Sequence, residues 1–156
     1  MAAETVDMTT GGTGGKLPNF RKNGVIQIIL DFAAVLAAKG SALTVADVYQ
    51  VLTVPAGCVI EAACLSPVTD GAVNTLATTV TLDLGDAALG AAGYVDGFDA
   101  TATTEGVPVM TVEKFYPAAD TLDVTLQAYA GTLTSGKVMI TAKIYELTVS
   151  DLNGTA

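Results

Sequence analysis

Asp83, Asp86, Asp96 and Asp99 share one short stretch, TVTLDLGDAALGAAGYVDGFDA at residues 79–100, and are the residues in this chain best placed to do chemistry. Carboxylate oxygens from separate turns can converge on one Ca²⁺. A carboxylate pair about 5–5.5 Å apart could instead serve a retaining glycosidase. An EF-hand loop needs acids at its first, third and fifth positions and glycine at its sixth. Counted from Asp83 the third position is Gly85, and from Asp96 it is Phe98, so both frames fail. Sugar sites also use aromatic platforms, whereas here tryptophan is absent and aromatics make up 6%. The competing reading is turn chemistry, in which aspartate bonds a nearby backbone N–H and glycine takes φ > 0. On that reading the stretch is a strand, a small-residue loop and an Asp-Gly turn. No metal ligand, cofactor-binding residue or catalytic residue is assigned, and the chain is expected not to be an enzyme.

Other chemistries fail for want of parts. The chain has no histidine, so Ser-His-Asp and Cys-His nucleophiles lack their base. Cys58 and Cys64 lie six residues apart in CVIEAAC. On one strand they would face the same side about 20 Å apart, beyond the roughly 7 Å limit for a disulfide. They are expected to be free thiols, and without histidine they make no zinc site. GGTGG at residues 11–15 lacks the Gly-Lys-Ser/Thr ending of a phosphate loop and reads as spacer. Tyr94 and Phe98, with Phe115, Tyr116 and Tyr129, could form a contact patch where loops cluster, and core packing is the alternative for the same side chains.

The composition favours a β protein with a partner-covered surface. Hydrophobic residues reach 51% and charged residues only 15%, against about 25% charged in an average soluble domain. Twenty-two threonines and sixteen glycines suit short strands joined by tight turns. A net charge of −9 repels phosphates, so no nucleic-acid partner is expected. The longest apolar run, VIQIILDFAAVLAA, is interrupted by Gln27 and Asp31, so no membrane span is expected. The acidic start, MAAETVDMTTGGTGGK, does not read as a signal peptide.

The elements that must position these residues can be read from periodicity. GVIQIILDFAAVLAAKG reads as a strand to about Phe32, then a short helical turn ending at Lys39 and Gly40. DVYQVLTV and CVIEAACLSPV read as strands around a PAG corner. TLATTVTLDLG alternates, with Val80, Leu82 and Leu84 on one face and Thr79, Thr81 and Asp83 on the other. VMTVEKFY, DTLDVTLQAYA and KVMITAKIYEL repeat the pattern, with GTLTSG as a hairpin-like link between the last two. VLTVPAGCVIEA and EKFYPAADTLDV echo one another as two equivalent corners. Seven or eight strands without helical crossovers predict an all-β fold, an antiparallel β-sandwich of the jelly-roll-like kind.

Three parts are expected: a flexible extended N-terminal arm at residues 1–24, a single β-sandwich domain at 25–150, and a tail at 151–156. The arm carries Lys16, Arg21 and Lys22, three of the seven bases, as candidate subunit contacts. Fully extended it would reach about 80 Å.

With the strands in order, residues 25–147 resemble the head-decoration, or capsid-cement, proteins of tailed bacteriophages. The stretches that carry the resemblance are LDFA at 30–33, ADVYQVLTVPAG at 46–57, TLDLGD at 81–86, YVDGFDA at 94–100, YPAADTLDVTL at 116–126 and GTLTSGKVMITA at 131–142. The resemblance implies a β-sandwich that assembles, often as a homotrimer, on the outside of the phage head and clamps neighbouring major capsid protein subunits. It would be made in the bacterial host cytoplasm and end on the capsid exterior of the virion. No catalytic residue and no cofactor is carried over. The alternative is a tail or fibre-base virion module, or a carbohydrate-binding β-sandwich for host attachment that uses Tyr94 and Phe98.

Overall fold

The computed structural model describes residue 3 and residues 5–7, 24–68, 77–101 and 113–146. These form β1 (Thr5–Asp7), β2 (Gly24–Asp31), α1 (Phe32–Lys39), β3 (Val48–Val54), β4 (Cys58–Pro67), β5 (Ala77–Asp86), β6 (Gly90–Asp99), β7 (Lys114–Tyr116), β8 (Asp120–Gly131) and β9 (Lys137–Glu146). One sheet runs β1-β3-β8-β5-β6 and the other β2-β9-β4-β7. All pairings are antiparallel except β1 with β3. The architecture is a mostly antiparallel two-sheet β structure, consistent with a jelly-roll-like sandwich.

Alternation builds the core. Val80, Leu82 and Leu84 of β5 and Leu122, Val124 and Leu126 of β8 are buried from one sheet, and Val138, Ile140, Ala142 and Ile144 of β9 from the other. All belong to one apolar cluster, which removes their area from water. The boundary between β2 and α1 is set locally. Asp31 Oδ1 accepts from Ala33 N at 2.9 Å as an N-cap. Gly40, at φ 68°, donates to Leu36 O at 3.0 Å and ends the helix one residue after Lys39, as the sequence predicts.

The two echoing corners are indeed equivalent. β3 turns into β4 and leaves the five-stranded sheet for the four-stranded one, and β7 into β8 makes the reverse journey. β3 pairs with β8 (Val54 opposite Asp120) and β4 with β7 (Cys58 opposite Tyr116), so the corners lie side by side. Gly57 N donates to Tyr116 O at 2.7 Å and ties them together.

Four expectations need correction. Residues 90–99 are a strand, not a loop and turn: β6 pairs with β5 and absorbs the Asp96-Gly97 pair as a bulge, because Leu82 pairs with Phe98 while Leu84 pairs with Val95. GTLTSG is no hairpin. It carries the chain from one sheet to the other, with Leu133 buried beneath it. The thiols face opposite sides, since a register shift between Ile60 and Ala62 inserts one residue into β4 and inverts its later side chains. Cys58 is buried in the core, Cys64 is half-buried, and both are free. Finally, Thr5–Asp7 does not reach outward but adds a short parallel strand to β3, with Val6 in the core cluster.

Candidate functional site

The four aspartates, two on β5 and two on β6, sit in different environments. Asp83 stands opposite the bulge, and its Oδ1 accepts from Gly97 N at 2.8 Å, where φ is 67°. Burial raises its pKa, the Gly97 bond works against this, and Asp96 adds to the rise. Asp99 Oδ1 accepts from Thr101 N at 2.8 Å and from Thr101 Oγ1 at 2.6 Å. Asp96 is exposed. These are turn and bulge roles, and among the described residues no three Asp, Glu, Cys or His side chains converge on one point.

Asp86 behaves differently. It ends β5 in phase with Leu82 and Leu84, and so lies buried toward the core side. Its Oδ1 accepts from Ala88 N (2.8 Å) and Leu89 N (2.7 Å) and lies 2.6 Å from Lys114 Nζ. Its Oδ2 accepts from the Tyr116 hydroxyl at 2.5 Å, and the Tyr116 hydroxyl oxygen lies 2.8 Å from that of Tyr94. Lys114 Nζ also stands 4.3 Å from the centre of the Tyr116 ring. Burial alone would raise the Asp86 pKa, but the bonds from Lys114, Tyr116, Leu89 and Ala88 outweigh it and hold the group below the usual carboxylate value. Burial pushes Tyr94 up to about 12 and Tyr116 still further. Lys114 and Tyr116 come from the four-stranded sheet and Asp86 and Tyr94 from the other, so the cluster stitches the two sheets together. Gly85, the residue before Asp86, lets the start of β6 lie close: a Cβ there would collide with the backbone of Gly90 and Ala91.

Tyr94 and Phe98 are not loop contacts. Both are buried within β6, Tyr94 at 0% and Phe98 at 1% exposure, so core packing is their role. Of the five aromatics, Phe115 is the one strongly exposed, at 43%. Lys16, Arg21 and Lys22 lie outside the described residues. Burial raises the Cys58 thiol pKa, and Glu146 adds to the effect, which leaves it a poor nucleophile.

Sequence reasoning missed the surface that the fold assembles on the outer face of the four-stranded sheet. By register, Ile29, Met139 and Ser66 form one row, Gln27, Thr141 and Cys64 the next, and Val25, Lys143 and Ala62 a third. Val25 is 61% and Ile29 44% exposed. The charges here cancel in pairs, Lys143 with Glu61 at 2.7 Å and Lys137 with Asp31 at 3.7 Å. The opposite outer face carries Thr79, Thr81, Asp83 and Asp123 instead. The strand-by-strand alternation held the signal: Val25 and Ile29 sit at odd positions of a strand whose even positions are already apolar. β2 is also an edge strand of eight residues without proline, and its first charge is Asp31.

No family model and no curated protein matches the sequence. Among solved structures the fold is similar to a chain of the cyanophage Pam1 capsid asymmetric unit, with TM-score 0.61 and 20% identity over 80% of this chain and 85% of that one. It is similar to a chain of the capsid of Ralstonia phage GP4, with TM-score 0.57 and 15% identity over 92% and 99%. A chain of the acidic stable capsid structure of Helicobacter pylori bacteriophage KHP30 matches with TM-score 0.50 and 10% identity over 81% and 88%. At these identities the likeness is one of fold.

Proposed function

We propose that the protein is a structural, non-enzymatic component of a phage virion: a decoration or cement protein that binds the outside of the head and stabilises contacts between major capsid protein subunits. The observation that carries this reading is the shared fold over most of both chains with three proteins found in phage capsid structures. The outer face of the four-stranded sheet supports it. A molecule of net charge −9 meets a neighbour at least electrostatic cost where its carboxylates are already paired, and exposed Val25 and Ile29 supply the apolar area. The β2 edge, which no strand pairs among the described residues, offers main-chain pairing besides. Repetition around a threefold axis, as a homotrimer, turns a modest contact into stable attachment through multivalency. The arm bearing Lys16, Arg21 and Lys22 adds a second attachment point in this reading.

Co-sedimentation with expanded heads of the host phage tests the proposal. Saturable binding is expected, and the Ile29→Asp variant should lose it while keeping the wild-type melting temperature. A chain that stays monomeric by light scattering and never sediments with heads would sink the reading.

A further inference from the structure

β2 ends the four-stranded sheet without any of the devices that keep an edge from pairing. Of its eight residues only the last, Asp31, is charged, none is lysine or proline, and its register with β9 runs from Gly24 to Asp31 without a bulge. The other sheet ends are blunted: β1 and β7 have 3 residues each, and β6 carries the Asp96-Gly97 bulge with Asp96 exposed. Among the described residues no strand pairs with the outer side of β2.

Charge decides where two copies of this chain can meet. At net charge −9 they repel, so contact costs least along a strip without ionised groups. Gly24 to Leu30 is such a strip, and Asp31 beyond it is held by Lys137 at 3.7 Å. An antiparallel copy that uses the whole strip is centred on its middle residue, Gln27. Gln27 then stands opposite the partner's Gln27, Val25 opposite the partner's Ile29, Ile26 opposite the partner's Ile28 and Gly24 opposite the partner's Leu30. Val25 and Ile29, 61% and 44% exposed, cover each other twice on the outer face, with the two neutral amides between them. Half-buried Ile26 is covered on the inner side. Moving the centre to Ile28 sets Asp31 against the partner's Val25, and moving it to Ile26 takes Ile29 past the end of the partner's strand. The strip is therefore complementary to itself in one register.

We infer that β2 is a twofold self-pairing edge: two copies of this chain join their four-stranded sheets, antiparallel, into one continuous sheet with Gln27 on the axis.

The axis stands normal to the sheet, so both outer faces turn the same way. In the head-binding reading a pair presents twice the surface of one chain, but the pairing itself belongs to the free chain and does not depend on that reading. An edge strip of this length engages far fewer than the ~20–30 residues a side of a standard interface, so the free pair is weak and gains strength by repetition on a lattice. A twofold contact leaves threefold assembly to other surfaces, and it joins one trimer to the next where both form.

The test uses the free full-length chain with no heads present, so its outcome is separate from that of head binding. Cysteine is placed at exposed β2 positions on a Cys64→Ser background, which removes the half-buried thiol of the same face. Directly opposite residues of an antiparallel pair have Cα atoms about 4.5–5.5 Å apart, inside disulfide range. Gln27→Cys should therefore give a covalent dimer on a non-reducing gel after oxidation with copper phenanthroline. Val25→Cys and Ile29→Cys each lie about 14 Å from their own counterpart, so each alone should crosslink about tenfold more slowly, and mixing the two should restore the dimer. Light scattering reads the same pairing without a substitution: the wild-type mass should rise with concentration. A mass that stays constant up to the solubility limit, a Gln27→Cys chain that stays uncrosslinked, or a Val25→Cys chain that crosslinks as fast alone overturns the pairing.

Discussion

Two buried ion pairs, Lys39–Asp47 and Lys114–Asp86, have the same 2.6 Å separation and opposite character. The first is local and balanced. Lys39 closes α1, Asp47 stands just ahead of β3, and their side chains are 1% and 0% exposed. Asp47 is further bonded by Thr44 N and Thr44 Oγ1, each at 2.8 Å, and Lys39 also donates to Thr44 Oγ1 at 3.1 Å. One cation meets one anion, and the carboxylate's oxygens are occupied. The second pair joins strands from different sheets and shares its lysine with Asp120. Burial of charge costs several kcal/mol per ion unless geometry and hydrogen bonds repay it. The balanced pair ties the end of α1 to the start of β3, whereas the crowded pair ties one sheet to the other.

Breaking each pair should expose that difference. Asp86→Ala carries the largest expected effect: it strands Lys114, the Tyr116 hydroxyl and two backbone N–H groups at the seam. The expected loss is about 3–5 kcal/mol in urea unfolding, with little change in m if the native state stays compact. Lys39→Met should cost less, about 2–3 kcal/mol, because the two Thr44 bonds remain on Asp47 and the methionine fills the lysine's volume. A loss at Lys39→Met equal to that at Asp86→Ala would mean that the local network is no better satisfied than the crowded one.

Of the balanced site, the helix end at Lys39-Gly40 was read from sequence, while Thr44 three residues before Asp47, the spacing of a side-chain-closed turn, was passed over. The acid stretch was legible for Asp83 and Asp99, whose bonds stay within the hairpin of β5 and β6. Asp86 was half legible: period-two alternation from Leu82 and Leu84 points it inward, but its partners Lys114 and Tyr116 arrive from a strand about thirty positions away, and no local pattern encodes that pairing. β6 was missed because its glycines and the Asp-Gly dipeptide are turn signals, and the bulge uses the same φ > 0 that a turn would. The partnering of β9 was misread for another reason, since a hairpin would have set it beside β8 and it lies in the other sheet. A short small-residue link looks the same whether it joins neighbours in one sheet or crosses between two, and the buried Leu133 is the one residue in it that argues for crossing.

Tyr116→Phe gives the smallest expected effect and the sharpest view of the crowded site. It removes one oxygen from the seam while leaving the ring, its contact with Lys114 and its pairing with β4 in place. Asp86 keeps Lys114 and two backbone donors, so it stays charged, while Tyr94 loses its hydroxyl partner. The expected cost is about 1–2 kcal/mol, read as a lower urea midpoint at unchanged m. Without that donor the Asp86 pKa should rise toward its ordinary value, so the stability lost below 3.8 should be smaller than in wild type and should level off at higher pH. A variant whose acid limb coincides with that of wild type would show that Lys114 and the two backbone donors set the charge of Asp86 without help from the tyrosine pair.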